Sequence, residues 1–167
     1  VDGKRLAMDG VILVTVNYRL GLLGFMNDVS APSHPSTVTP VAGILDNLEA
    51  LRFVQRTIGS FGGDPNKVTV FGESAGGSNG VFLLTSASMV ERDERLFRRI
   101  VLMSPSHMHF DIMPVEDELP QTLSALMGCP DPSQDSAAAW ACLRSKTWEE
   151  IWSQLPPQGA SRIQFLM

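Results

Sequence analysis

A serine that could act as a nucleophile stands at position 74, inside the run Gly72-Glu73-Ser74-Ala75-Gly76-Gly77. A serine hydroxyl is a weak nucleophile by itself and needs a nearby base and an accessible position. The G-x-S-x-G spacing supplies access when it joins a strand to a helix. The serine is then forced into a strained turn, and glycines two before and two after it relieve the crowding. The helix that follows would aim its unpaired N–H groups at the serine oxygen. The Ala75 N–H would form part of an oxyanion hole. An ordinary glycine-rich β–α turn could carry the same residues. A phosphate-binding turn fits poorly, because neither a Lys-Ser/Thr pair nor a G-x-G-x-x-G run is present.

The elements that must position Ser74 are legible around it. "VTVF" (68–71) is an apolar strand that enters the turn, and "AGGSNGVFLLTS" (75–86) is a helix that leaves it despite its glycines. "GVILVTVNYRL" (10–20) is rich in β-branched residues and nearly continuous in apolarity, as expected of a strand buried on both faces of a parallel sheet. "GLLGF" reads as a glycine-punctuated loop, and 27–40 as a Pro/Ser/Thr-rich surface connector. In "ILDNLEALRFVQRTIGSF" the residues Ile44, Leu48, Leu51, Val54, Gln55 and Ile58 share one helical stripe, while Asp46, Glu49, Arg52 and Arg56 fall elsewhere. "RRIVLMS" (98–104) is a third strand. "DELPQTLSALMG" and "AAAWACLRSKTWEEIWSQL" read as helices. The alternation of strand and helix predicts an α/β fold with a mostly parallel central sheet flanked by helices. In such a sheet functional groups gather beyond the carboxyl ends of the strands, where Ser74 lies.

Composition narrows the function classes. The 167 residues are 44% hydrophobic and carry a formal net charge of −5, which suits a folded domain with its own core. A nucleic-acid binder would show a basic patch or stripe instead. No apolar run approaches the roughly 20 residues needed to span a bilayer. The sequence opens on Val1 without a signal peptide. It stops within the apolar "RIQFLM", so it reads as an internal fragment.

Other chemistry-bearing residues carry less. His107 and His109 come directly after the third strand. That is too early for a triad histidine in a fold whose order is nucleophile, acid, histidine. H-x-H alone offers two ligands and no metal site. His34 falls in the connector. Asp111, Glu116, Asp117 and Glu118 read as a solvated face leading into a helix. Asp64, before Pro65, is expected to stabilise a turn. Trp148 and Trp152, four apart, are expected to share one buried face, with Trp140 on the same helix. Cys129 and Cys142 are the only cysteines.

Together these motifs resemble the type-B carboxylesterases, the α/β-hydrolase family that includes the cholinesterases. "FGGDPNKVTVFGESAGG" carries most of the likeness, and "VILVTVNYRLGLLGF", "GILDNLEALRFVQRTIGSF", "LFRRIVLMS" and the segment from "LMGC" to "ACLRSK" agree in order. The resemblance implies serine ester hydrolysis of a small-molecule carboxylic ester, with no cofactor, metal or nucleic acid. It assigns Ser74 as nucleophile, Ala75 as an oxyanion-hole donor and Glu73 as the glutamate beside the nucleophile, which is not the triad acid. Arg19 aligns with a structural arginine. Cys129 and Cys142 align with a disulfide, which implies an oxidising compartment, extracellular or along the secretory pathway. No N-x-S/T sequon supports this independently. Val41, Asn47 and Pro105 depart from the family's usual asparagine, glutamine and glycine.

The resemblance also implies that residues 1–167 are a partial domain. The glycine-rich oxyanion loop would precede Val1, and the triad acid and histidine would follow Met167. One triad member and about half of the oxyanion hole are then present. The fragment alone is expected to be inactive. The rival reading is a non-catalytic, cholinesterase-like adhesion protein, and the presence of Ser74 speaks against it.

Overall fold

A computed structural model describes residues 3–26, 42–85, 95–105 and 119–154. They fold into seven α-helices and a two-stranded parallel sheet. The chain divides into two compact units, Val1–Tyr18 with Ile44–His107, and Arg19–Gly43 with Met108–Met167.

In the first unit, β1 (Thr69–Glu73) pairs in parallel with β2 (Arg99–Met103), setting Phe71 opposite Val101 and Glu73 opposite Met103. Between them comes α4 (Ala75–Thr85), the crossover expected of a β–α–β unit. It lies on the sheet face that carries Val70, Gly72, Ile100 and Leu102. Two of its glycines account for how close it comes. A Cβ on Gly77 would stand 2.9 Å from the Met103 carbonyl oxygen, and one on Gly80 would strike the Leu102 side chain. The low helix propensity of glycine is thus offset by backbone-to-sheet contact that no larger residue permits. The other face of the sheet is open, with Phe71, Val101 and Met103 at 48%, 49% and 41% exposure. The expectation that 68–71 forms a buried strand holds on one face only.

Helix α3 (Ala42–Thr57) follows the predicted stripe. Ile44, Leu48, Val54 and Ile58 are buried, while Glu49 pairs with Arg52 and Arg56 on the exposed side. Gln55 belongs to the stripe for a polar reason. Its Nε2 donates to the Pro65 carbonyl at 2.8 Å and the Leu96 carbonyl at 2.9 Å, tying together the segments that lead into β1 and β2. Asp64 caps the 3-10 turn Pro65–Lys67 by accepting from the Asn66 N–H at 2.8 Å, as its position before proline predicts.

The run 10–20 departs from expectation. It forms no strand, and Val11, Ile12, Val14 and Val16 are exposed. Val11–Val16 and residues 69–72 of β1 are among the residues that line a cavity of about 910 Å³. A strand exists only where a ladder partner satisfies its backbone, and this run has none among the described residues. The polar start of the chain holds a short helix, α1 (Lys4–Met8).

In the second unit, "GLLGF" is a short helix, α2 (Gly21–Phe25), rather than a loop. Helices α5 (Leu119–Leu126), α6 (Ser136–Arg144) and α7 (Trp148–Gln154) follow. Leu123, Trp140 and Leu143 form a buried cluster, with Met26, Met127, Cys129 and Ile151 packed against it. The expected single helix over 137–155 is broken after Arg144. Thr147 and Glu150 restart it with reciprocal bonds: the Thr147 N–H donates to the Glu150 carboxylate and the Glu150 N–H to the Thr147 hydroxyl. This is a T-x-x-E capping box. Trp148 and Trp152 share a face of α7, with ring centroids 5.0 Å apart. That face is not buried as expected, since the two are 50% and 55% exposed.

Candidate active site

Ser74 is the single residue between β1 and α4. Its φ is +53°, in the left-handed region that L side chains avoid. The reversal works because both sides of the turn are tied down. The Ser74 N–H donates to the Met103 carbonyl at 2.9 Å, closing the β1–β2 ladder. The Ser74 carbonyl accepts from the Ser78 N–H at 3.0 Å and from the Ser78 hydroxyl at 3.3 Å, opening the helix. A strand bond on one side and a helix bond on the other over-determine the backbone and hold the strain. The residue is exposed at the carboxyl edge of the sheet.

Gly72 answers to steric need: a Cβ there would run into the Gly76 carbonyl. The expected crowding is one-sided, however. A Cβ on Gly76 meets nothing within 4 Å, because that position faces away from the turn and offers only its backbone to Gly72. Glu73 is exposed at the end of β1. Ala75 opens α4, so its N–H has no acceptor within the helix and lies beside the serine.

The structure also reveals a residue that sequence reasoning did not single out. Ser104 follows β2 as Ser74 follows β1, and its φ is +45°. These two serines are the non-glycine residues with positive φ among the described residues. Residue type alone carries no signal for this strain in the residue that follows β2. His34, His107, His109, Asp111, Glu116, Asp117, Glu118 and Val41 lie outside the described residues. Among the described residues no three His, Cys, Asp or Glu side chains gather as a metal ion would require.

Cys129 and Cys142 form a disulfide, with Cα atoms 5.7 Å apart. The pairing implied by the family resemblance is present.

Comparison with known proteins decides the family. The sequence profile described as "Carboxylesterase family" matches residues 1–166. The chain belongs to the carboxylesterase family. It is 48% identical over 105 residues to a protein named Fumonisin B1 esterase from Sphingopyxis macrogoltabida, covering 62% of this chain and 19% of that one. It is 39% identical over 156 residues to Cholinesterase 1 of Branchiostoma lanceolatum, covering 90% and 41%. It is 36% identical over 156 residues to Gut esterase 1 of Caenorhabditis elegans, covering 93% and 25%. The chain therefore spans less than half the length of each of these relatives. The matching family and all three relatives carry esterase names. The parallel sheet with its crossover helix is consistent with part of an α/β-hydrolase fold.

Proposed function

We propose that residues 1–167 are the nucleophile-bearing part of a longer serine ester hydrolase, and that Ser74 is its nucleophile. The observation that carries this reading is the left-handed Ser74, exposed between a parallel strand and a helix N-terminus. Strain of this kind persists where the surrounding structure holds it and is concentrated at functional sites.

In the intact enzyme the Ser74 Oγ attacks the ester carbonyl carbon while a histidine beyond Met167 takes its proton. The carbonyl oxygen becomes an oxyanion, and the Ala75 N–H donates to it together with a glycine-rich loop that precedes Val1. The intermediate collapses to an acyl-serine and the alcohol leaves with the histidine's proton. Water then hydrolyses the acyl-serine by the same route in reverse. The substrate is a small-molecule carboxylic ester. No cofactor takes part in these steps. The Cys129–Cys142 bond favours an extracellular or secretory location.

The test compares the full-length parent, its Ser74→Ala variant and the 167-residue chain, using a chromogenic ester and an organophosphonate probe. The parent should turn over and label stoichiometrically, and the variant should do neither. Chain 1–167 should fall below the residual rate of about 10³–10⁴-fold over water that partial triads retain, since part of the oxyanion hole is also outside it. An inert parent with Ser74 intact would refute the reading and favour an adhesion protein. Fast labelling of the isolated chain would mean that a base lies within these residues.

A further inference from the structure

Ser78 lies one turn into α4, with its side chain turned back toward the start of the helix. It is buried, at 9% exposure. Its N–H donates to the Ser74 carbonyl at 3.0 Å, as the helix requires, and its hydroxyl donates to the same oxygen at 3.3 Å. Serines and threonines in helices often bond back in this way without further consequence. In the same helix the Thr85 hydroxyl donates to the Val81 carbonyl at 3.1 Å, and at the end of α3 the Thr57 hydroxyl donates to the Phe53 carbonyl at 2.8 Å. Both of those side chains are exposed, and neither acceptor has a positive φ. Ser78 is buried, and the carbonyl it holds belongs to a residue with φ of +53°.

That carbonyl is half of a rigid unit. The Ser74 C=O and the Ala75 N–H belong to one planar trans peptide, so they point in opposite directions. A hydrogen bond that fixes the carbonyl therefore fixes the direction of the N–H. A donor on the carbonyl oxygen also polarises the amide and strengthens its N–H as a donor. The Ala75 N–H has no acceptor within α4, because Ala75 opens the helix, so the plane is steered from its carbonyl side. The peptide before Ser74 is held separately, through the Ser74 N–H on the Met103 carbonyl at 2.9 Å.

We infer that Ser78 is a positioning residue for the oxyanion hole. Its hydroxyl, added to its N–H, clamps the Ser74–Ala75 peptide plane and aims the Ala75 N–H at the place where the ester carbonyl oxygen becomes an oxyanion. It acts through the peptide and not on the substrate. This rests on the reading of Ser74 as nucleophile and Ala75 as oxyanion donor. Negative charge develops on that oxygen in the transition state, so a mis-aimed donor lowers kcat and leaves substrate binding nearly unchanged. Losing a donor outright costs about 10²–10³-fold in kcat. Ser78→Ala keeps the 3.0 Å bond and removes the longer, weaker one at 3.3 Å, so its effect should be smaller.

Hydrolysis of a chromogenic ester by the full-length parent, and its inhibition by a trifluoromethyl ketone that forms an oxyanion on the serine, test this. Rates are taken per serine titrated with the organophosphonate, so a loss of folded protein does not register. Ser78→Ala should lower kcat on the order of 10-fold, with KM within about twofold of wild type, and raise the Ki of the ketone by the factor that kcat falls. Ser78→Thr, whose hydroxyl can make the same bond, should recover most of both losses. Thr85→Ala, which deletes the same kind of bond at the far end of α4, should change neither. An unchanged kcat per titrated site in Ser78→Ala would overturn the inference, as would a fall in kcat without a rise in Ki. So would a Ser78→Thr variant with a wild-type urea midpoint that recovers nothing. The two readings fail separately. A parent that Ser74→Ala leaves active loses the nucleophile and the clamp together. A parent silenced by Ser74→Ala but untouched by Ser78→Ala keeps the hydrolase and loses only the clamp.

Discussion

Ser74 and Ser104 leave their paired strands in the same strained way. Their φ angles are +53° and +45°, and the residues before them, Glu73 and Met103, stand opposite each other in the sheet. A left-handed L-residue costs about 1–2 kcal/mol. Glycine removes that cost but adds roughly 0.4–1 kcal/mol of unfolded-chain entropy. Ser104→Gly should therefore raise stability by a fraction of a kcal/mol to about 1 kcal/mol, read as a higher urea midpoint with unchanged slope. Ser74→Gly should do the same while abolishing organophosphonate labelling. That pairing of gained stability and lost chemistry is what stored strain at a reactive residue predicts. Ser104→Val, β-branched at positive φ, should lower the midpoint.

The two motif glycines separate cleanly by experiment. Gly72→Ala drives a methyl into the Gly76 carbonyl, and backbone cannot swing aside as a side chain can. A loss of about 1–3 kcal/mol is expected, the usual range for overpacking. Gly76→Ala places its methyl in open space within α4. It should be neutral or stabilising by up to about 1 kcal/mol, the helix-propensity gain. Equal losses at the two positions in thermal or urea unfolding would mean that the crowding is symmetric after all.

How far the sequence reached follows from how local each signal was. The stripe of α3, the Asp64 cap, the two strands around α4 and the turn at Ser74 are written within a few residues, so propensity and spacing suffice. The run 11–16 failed because strand formation depends on a partner at long range, and β-branched residues do not supply one. Gln55 was legible as a stripe position but not as a clasp, since its acceptors lie 10 and 41 residues away. Apolar periodicity across Trp140, Trp148 and Trp152 hid the break between α6 and α7. The Thr147–Glu150 spacing that marks the break was there to be read. Of the candidate site, the sharp turn at Ser74 and the crowding at Gly72 were legible, whereas the open space at Gly76 and the strain at Ser104 have no signature in residue type.

Gln55 should matter more than its surface-like composition suggests. Its amide hydrogens satisfy the Pro65 and Leu96 carbonyls, one ahead of each strand. Gln55→Leu removes both donors and leaves two part-buried carbonyls unpaired, at a cost of about 1–3 kcal/mol. Gln55→Glu should be worse near neutral pH, because it sets a carboxylate against two carbonyl oxygens. Acidification protonates that carboxyl, which then donates to one of them and recovers part of the loss. If Gln55→Glu is no less stable than Gln55→Leu at neutral pH, or gains nothing in acid relative to wild type, the clasp is refuted.

The capping box of α7 gives a pH dependence with a definite sign. The Glu150 carboxyl is held below its ordinary 4.5 by the Thr147 N–H first and the Thr147 hydroxyl second, against a small desolvation effect. A carboxyl depressed on folding contributes stability that is fully present above its unfolded pKa and is lost as pH falls through the lower folded value. The advantage of wild type over Glu150→Gln should therefore be constant above about pH 6 and shrink progressively below about pH 4.5. Glu49, lowered chiefly by its bond from Arg52, and Asp131, lowered by the Ser133 hydroxyl and N–H, titrate in the same acid range. They are common to both proteins, so the difference between midpoints isolates Glu150. The group is fully exposed, so the shift should be small and best read from exchange of the amides in α7, with Thr147→Ala as a second variant that removes the hydroxyl partner. An advantage that grows on acidification would show that Glu150 stabilises α7 in its protonated form, and the capping assignment would fall.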